Sequence, residues 1–182
     1  ISRIWAEEHQ RNLGGIWMSI LSTLLGTADR IAAPSVEAEA HCDIPCGIYD
    51  PHAAQVAAHT IVRMNQLIAD LPTDDMETYG AKLGRYVSVK EEHAELVKKE
   101  IRILWGDYFR PEHVEQYPNL HNLVFTTMKQ ASAARQNVSM DNAQSLLASV
   151  QEISEIFWKT KGAEVRRAPS RQTSGGEIVY PA

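Results

Sequence analysis

The sequence predicts an all-α protein, an antiparallel four-helix bundle. Three observations lead there. Four stretches carry apolar residues at steps of three and four, short turns rich in proline or polar residues separate them, and no segment alternates convincingly with period two. Amphipathic helices joined by short turns bury their apolar stripes by packing against one another in alternating directions. At 182 residues, 44% of them apolar, the chain can build one core but not two large ones.

The first helix opens at Asp50-Pro51, a carboxylate at the cap followed by proline at the first helical position. Val56, Ile61, Met64, Ile68 and Leu71 form its seam. Pro72-Thr73-Asp74-Asp75 ends it, and Asp74 with Glu77 predicts a capping box for the second helix. That helix carries Tyr79, Leu83, Tyr86, Val97, Ile101, Leu104 and Tyr108 inward, with an interruption near Lys90 and His93. Pro111 and Pro118 punctuate the next connection. A third helix is expected over residues 119–134, with Leu120, Leu123, Val124, Met128 and Ala131 inward. After a polar turn at residues 137–141 comes a fourth, with Ala143, Leu146, Val150, Ile153 and Phe157 on one seam. Residues 164–182, rich in Arg, Ser, Gly and Pro, show no helical face and are expected to be a disordered tail.

Residues 1–40 form a leader or pro-segment. The first 17 residues lack an initial Met and any clear period. Gly14-Gly15 can be encoded by a bacterial ribosome-binding sequence at a usual spacing from Met18, so Met18 is the expected start and residues 1–17 translated leader DNA. Sequencing the native N-terminus tests this; residues found before Met18 would sink it. Residues 20–25 are mildly apolar and Ala38-Glu39-Ala40 resembles a signal-peptidase site, but no positive region precedes them. The favoured reading is a cytoplasmic protein whose pro-segment is removed; export through a weak N-terminal signal is the alternative.

The net charge is −5 and the pI near 5.8. No basic stripe points to nucleic acid, and no apolar run is long enough to cross a bilayer. Neither partner is expected.

The chemistry concentrates in His41-Cys42-Asp43-Ile44-Pro45-Cys46-Gly47-Ile48-Tyr49-Asp50-Pro51. The two cysteines are the only ones in the chain, and a disulfide across so short a loop would stabilise little. An imidazole and two thiols within six residues offer soft to borderline donors, which in square-planar geometry suit Ni(II) or Cu(II). Pro45 and Gly47 favour a compact turn, and the helix start downstream favours thiolate. On these residues alone, metal binding, a reversible disulfide and unremarkable cysteines all stay open.

The segment resembles the hook of nickel superoxide dismutases, H-C-x-x-P-C-G-x-Y-x-P, at every fixed position. The similarity continues in Leu104-Trp105-Gly106-Asp107-Tyr108-Phe109, Tyr117-Pro118-Asn119-Leu120-His121 and Ile156-Phe157-Trp158-Lys159-Thr160-Lys161, and covers roughly residues 41–163.

The resemblance implies a right-handed four-helix bundle with an N-terminal metal-binding hook, assembled as a homohexamer. It implies cleavage before His41 by a maturation protease and one nickel ion per subunit. The ligands would be the Cys42 and Cys46 thiolates, the Cys42 amide nitrogen, the freed His41 amine and, when oxidised, the His41 imidazole. Thiolate and amide donors stabilise Ni(III), bringing the couple between the two half-reactions of superoxide, the substrate. While Ala40 remains attached, His41 offers an amide instead of an amine, so cleavage should activate the enzyme. Tyr49 would control the approach of small anions, Asp43 would order the hook, and Pro45 would carry a cis bond. A carboxylate and an arginine that hold the axial imidazole in the best-known members are replaced here by Ala57 and His93, which puts the tuning of that imidazole in doubt.

The rivals are a nickel or copper carrier without turnover and a thiol redox sensor through Cys42 and Cys46. His52 and His59 are expected to be solvated helix positions, and His113 and His121 to serve packing or hydrogen bonding. Residues 41–163 hold 12 Lys and Arg against 16 Asp and Glu, so any attraction of an anion must be local.

Overall fold

A computed structural model describes residues 47–182. Four long helices form the bundle: α1 (His52–Ala69), α2 (Met76–Ile103), α4 (Leu120–Gln136) and α5 (Met140–Thr160). Between α2 and α4 lie a π-helical turn, Leu104–Tyr108, and a short helix α3, Pro111–Gln116. Around the bundle α1 packs on α2, α2 on α4, α4 on α5 and α5 back on α1, giving the antiparallel arrangement expected.

Helix starts follow local chemistry. Asp50 Oδ1 accepts the His52 N–H at 2.7 Å as the chain passes Pro51 into α1. The cap of α2 is Asp75, not Asp74. Its carboxylate accepts from the Glu77 and Thr78 N–H groups at 3.1 and 3.4 Å and from the Thr78 hydroxyl at 2.6 Å. The Thr78 hydrogen bonds hold the Asp75 carboxyl below the usual aspartate range. Ser139 caps α5 through the Asn142 N–H at 3.3 Å.

The α5 seam is as expected: Ala143, Leu146, Val150, Ile153 and Phe157 are all fully buried. In α4, Leu120, Leu123, Val124 and Ala131 are buried and Met128 is half-buried. The α1 seam is rotated from its expected phase. Ala54, Ala57, Ala58, Ile61 and Val62 face the core, while Val56 is 39% exposed and Met64 and Ile68 are half-buried. Small alanines allow the neighbouring helices to come close, a contact that a count of large apolar residues misses.

Lys90 accounts for the interruption in α2. It is 1% exposed, and its ammonium donates to the carbonyls of Ala134, Arg135 and Asn137 at 2.7, 2.8 and 2.9 Å. Those groups end α4, where carbonyls lack helical partners and the dipole favours a cation. Burial pushes the Lys90 pKa below its ordinary value.

The tail expected to be disordered is folded. β1 (Val165–Pro169) and β2 (Glu177–Pro181) form an antiparallel hairpin. Ile178 and Val179 are each 1% exposed, which gives the hairpin an apolar anchor. Gly175 and Gly176 turn the chain with φ of 75° and 71°, in the left-handed region open to glycine. The outer edge of β2 is held by helix side chains. Gln55 donates to the Val179 carbonyl at 3.0 Å and accepts the Val179 N–H at 2.8 Å, taking the place of a neighbouring strand. Gln151 donates to the Glu177 carbonyl at 2.6 Å, and Arg167 of β1 meets Glu155 at 2.6 Å. Among the described residues, no helix is long and apolar enough to cross a membrane.

Candidate metal centre

His41, Cys42, Asp43, Pro45 and Cys46 lie outside the described residues, as do the leader and its expected cleavage point. Among the described residues, no group of three His, Cys, Asp or Glu side chains could hold a metal ion. The imidazole and two thiols of the segment from His41 to Cys46 are, by their chemistry, donors that suit nickel.

The chain comes into view at Gly47, whose φ of 79° is left-handed and resists any side chain. Gly47 and Tyr49 line a cleft of 380 Å³ with Asp107, Tyr108, Arg110, Glu112 and His113. The cleft thus includes the residue that follows Cys46 in sequence. Arg110 and the carboxylates of Asp107 and Glu112 border it, on a chain that is acidic overall.

Tyr49 is half-buried, its ring 5.7 Å from that of Tyr108. Tyr108 ends the π-helical turn, which is closed by the Phe109 N–H on the Leu104 carbonyl at 2.8 Å. π-Helical turns occur often at functional sites because one extra residue redirects the side chains beyond it. The Thr160 hydroxyl donates to the Phe157 carbonyl at 2.7 Å, so it accepts from the Tyr108 hydroxyl at 2.8 Å. Phe157 packs on Tyr108 at 4.5 Å, and the Lys161 ammonium lies over both rings at 5.0 and 5.6 Å.

His113 accepts the Arg110 N–H on Nδ1 at 3.2 Å at the start of α3, and stacks on Tyr108 at 5.5 Å. His121 is exposed and meets the Trp105 ring at 5.5 Å. Both act in packing or hydrogen bonding, as expected. His52 is exposed and meets the Tyr180 ring at 6.0 Å. His59 is not a solvated position. It is 3% exposed, with Nδ1 3.0 Å from the Ser174 hydroxyl and Nε2 2.9 Å from the Glu177 carbonyl. The carbonyl can only accept, so Nε2 carries the hydrogen.

Ala57 is 1% exposed within the core face of α1. His93 is half-buried, and its Nδ1 donates to the Val89 carbonyl at 2.8 Å. It borders a polar groove with Glu91, Glu95, Arg102 and Arg135, not the cleft that Tyr49 lines. Arg102 bonds Glu95 at 2.9 Å and holds its carboxyl below the usual range.

Sequence reasoning missed Tyr108 as a site residue, treating it as part of the α2 seam. Thr160, Arg110 and Lys161 were missed with it. The available signal was Gly106-Asp107, an unusual pair for a buried helical seam.

A helical bundle preceded by an imidazole and two thiols offers the donors that a metalloprotein uses. Comparison with known proteins makes this specific. A family model of nickel-containing superoxide dismutase matches residues 36–161. The nickel superoxide dismutases of Streptomyces coelicolor and Streptomyces seoulensis are each 40% identical over 134 residues, covering 74% of this chain and 98% of theirs. A native nickel superoxide dismutase structure is 40% identical with a TM-score of 0.60, covering 68% of this chain and all of that one. An oxidised-state structure is similar at 39% identity, and a metal-free one at 38% with a TM-score of 0.58. The chain belongs to the nickel-containing superoxide dismutase family. It is an oxidoreductase acting on superoxide, with nickel as its cofactor.

Proposed function

We propose that this chain dismutes superoxide at an N-terminal nickel hook freed by cleavage before His41. The observation that carries the reading is that the family match includes the whole hook, with every fixed position present. The Cys42 and Cys46 thiolates, the Cys42 amide nitrogen and the freed His41 amine hold one nickel ion per subunit, with the His41 imidazole as a further ligand. Bound nickel supplies a couple between its +2 and +3 states, so that one superoxide is oxidised to dioxygen and another reduced to hydrogen peroxide.

The chain's own residues shape access. Tyr49 and Tyr108 narrow the approach beside Gly47, and the Thr160 bond fixes the Tyr108 phenol. Arg110 and Lys161 provide local positive charge for an anionic substrate. Asp43 orders the hook turn. His93, whose Nδ1 is committed to Val89, has Nε2 to offer the hook imidazole directly or through water.

Residues 1–40 are a pro-segment that a maturation protease removes, and the enzyme works in the cytoplasm as a homo-oligomer, a hexamer in the preferred reading. The half-buried Tyr79, Leu83, Tyr86 and Val87 of α2 support subunit contacts.

The test compares the full chain with one beginning at His41, both supplied with nickel. Only the shorter chain should bind one nickel per subunit and turn over superoxide. Full activity in an uncleavable full chain would refute activation by cleavage. Nickel bound by the shorter chain without turnover would favour a carrier, the reading that the altered Ala57 and His93 positions keep in view.

A further inference from the structure

We propose that the C-terminal hairpin is a strap that positions Tyr49 and the hook segment before it, tying the last turn of α5 to the first turn of α1. The hairpin lies beyond residue 161, where the family match ends, so the family relation assigns it no role.

The contacts form a closed circuit that begins and ends at the tyrosine pair of the cleft. Tyr108 donates to Thr160 at the end of α5, and Lys161 lies over the Tyr108 ring. Gly162, with φ of 74°, turns the chain out of α5 into the hairpin. β1 pairs with β2 from Val165 opposite Pro181 to Pro169 opposite Glu177. Arg166 of β1 lies over the Tyr180 ring at 5.6 Å, and Tyr180 meets the ring of His52. Next to Tyr180, Val179 is gripped on both its backbone groups by Gln55, which is 0% exposed. The His52 N–H bonds Asp50, and Tyr49 returns to Tyr108.

Two features argue for positioning over general stability. The hairpin grips α1 mainly through hydrogen bonds to buried polar side chains, which fix register and orientation more sharply than apolar burial does. The grip also begins in the first turn of α1, at His52 and Gln55, three and six residues after Tyr49. Looseness of that helical turn reaches Tyr49, three residues before it, and, on the hook reading, the ligands that precede Tyr49; partners that orient metal ligands change affinity by about 10–100-fold when lost.

The proposal rests on the hook reading above, and its test is arranged so that the two can fail separately. Three variants of the chain beginning at His41 are compared with the unaltered one: Tyr180→Ala at the hook end of the strap, Ser174→Ala at the far end beside His59, and a stop after Ala163. Amide exchange of residues 55–59 is measured without metal, and thermal stability and nickel release are measured for each. The strap predicts faster exchange at residues 55–59 in Tyr180→Ala and in the shortened chain. It also predicts nickel release about tenfold faster in both. Ser174→Ala should release nickel like the unaltered chain even where its melting temperature falls equally. Unchanged exchange at residues 55–59 in both altered strap variants overturns the proposal whatever the nickel does. Release that merely follows melting temperature across all three overturns it in favour of a stabilising role alone. Failure of the unaltered chain to take up nickel refutes the hook reading, while the exchange measurement still decides the strap.

Discussion

Lys90 carries an ion-dipole cap between helices within a single side chain. Its stem crosses the apolar interface of α2 and α4, and its three N–H groups satisfy three carbonyls at the end of α4. Lys90→Met keeps most of the stem and removes the donors, leaving buried carbonyls unpaired at about 1–3 kcal/mol. Chemical denaturation of the metal-free chain should show a loss of that order with little change in helix content. Reading the sequence located the irregularity at Lys90 but not its purpose, because the partners lie more than forty residues away. The same limit applies at the cleft. The hook motif was legible because its residues adjoin in sequence, whereas Thr160 and Lys161 meet Tyr108 only once α5 returns along the bundle.

The helices and the hairpin differ in what specifies them. The seam of α5 was readable because Leu, Ile, Val and Phe mark it. That of α1 was misphased because alanines make its close contacts, while Gln55, His59 and Asn65 are buried beside them. Two of those three polar residues bond the hairpin, whose strands are only five residues each and find partners far off in sequence. Gln55→Leu should therefore leave the Val179 N–H and carbonyl unpaired and detach β2. Amide exchange at residues 177–180 should rise well before the bundle opens, with a stability loss of about 1–3 kcal/mol. The α2 start makes a pH-dependent prediction. The Asp75 carboxyl is lowered in the folded state, so its contribution is present above the ordinary aspartate value of 3.8 and is lost as pH falls through the folded value. Asp75→Ala should lower the melting temperature at pH 7, and the gap from the unaltered protein should narrow in strong acid.

For the whole molecule, metal and fold are coupled through the hook reading. A ligand that binds only the folded chain stabilises it by about 2.7 kcal/mol at a hundredfold excess over its dissociation constant. Nickel should raise the melting temperature of a chain beginning at His41 and leave that of the full chain nearly unchanged, as calorimetry with and without the metal can test. Four helices and their order were legible because turn residues and apolar periods agree throughout the bundle. The hairpin was not, since composition alone made residues 164–182 look unstructured. The π-helical turn has one further consequence, which lies in the arithmetic of codons. Its bond from Phe109 back to Leu104 spans one residue more than an α-helix allows. Loss of a single codon within residues 105–107 would turn that bond into the α-helical span, so Tyr108 and Phe109 would keep their faces while the turn lost its extra residue. Gene-length drift of three nucleotides here would thus spare both the helix and the wall of the site, which makes the turn the place where this helix tolerates a change of length.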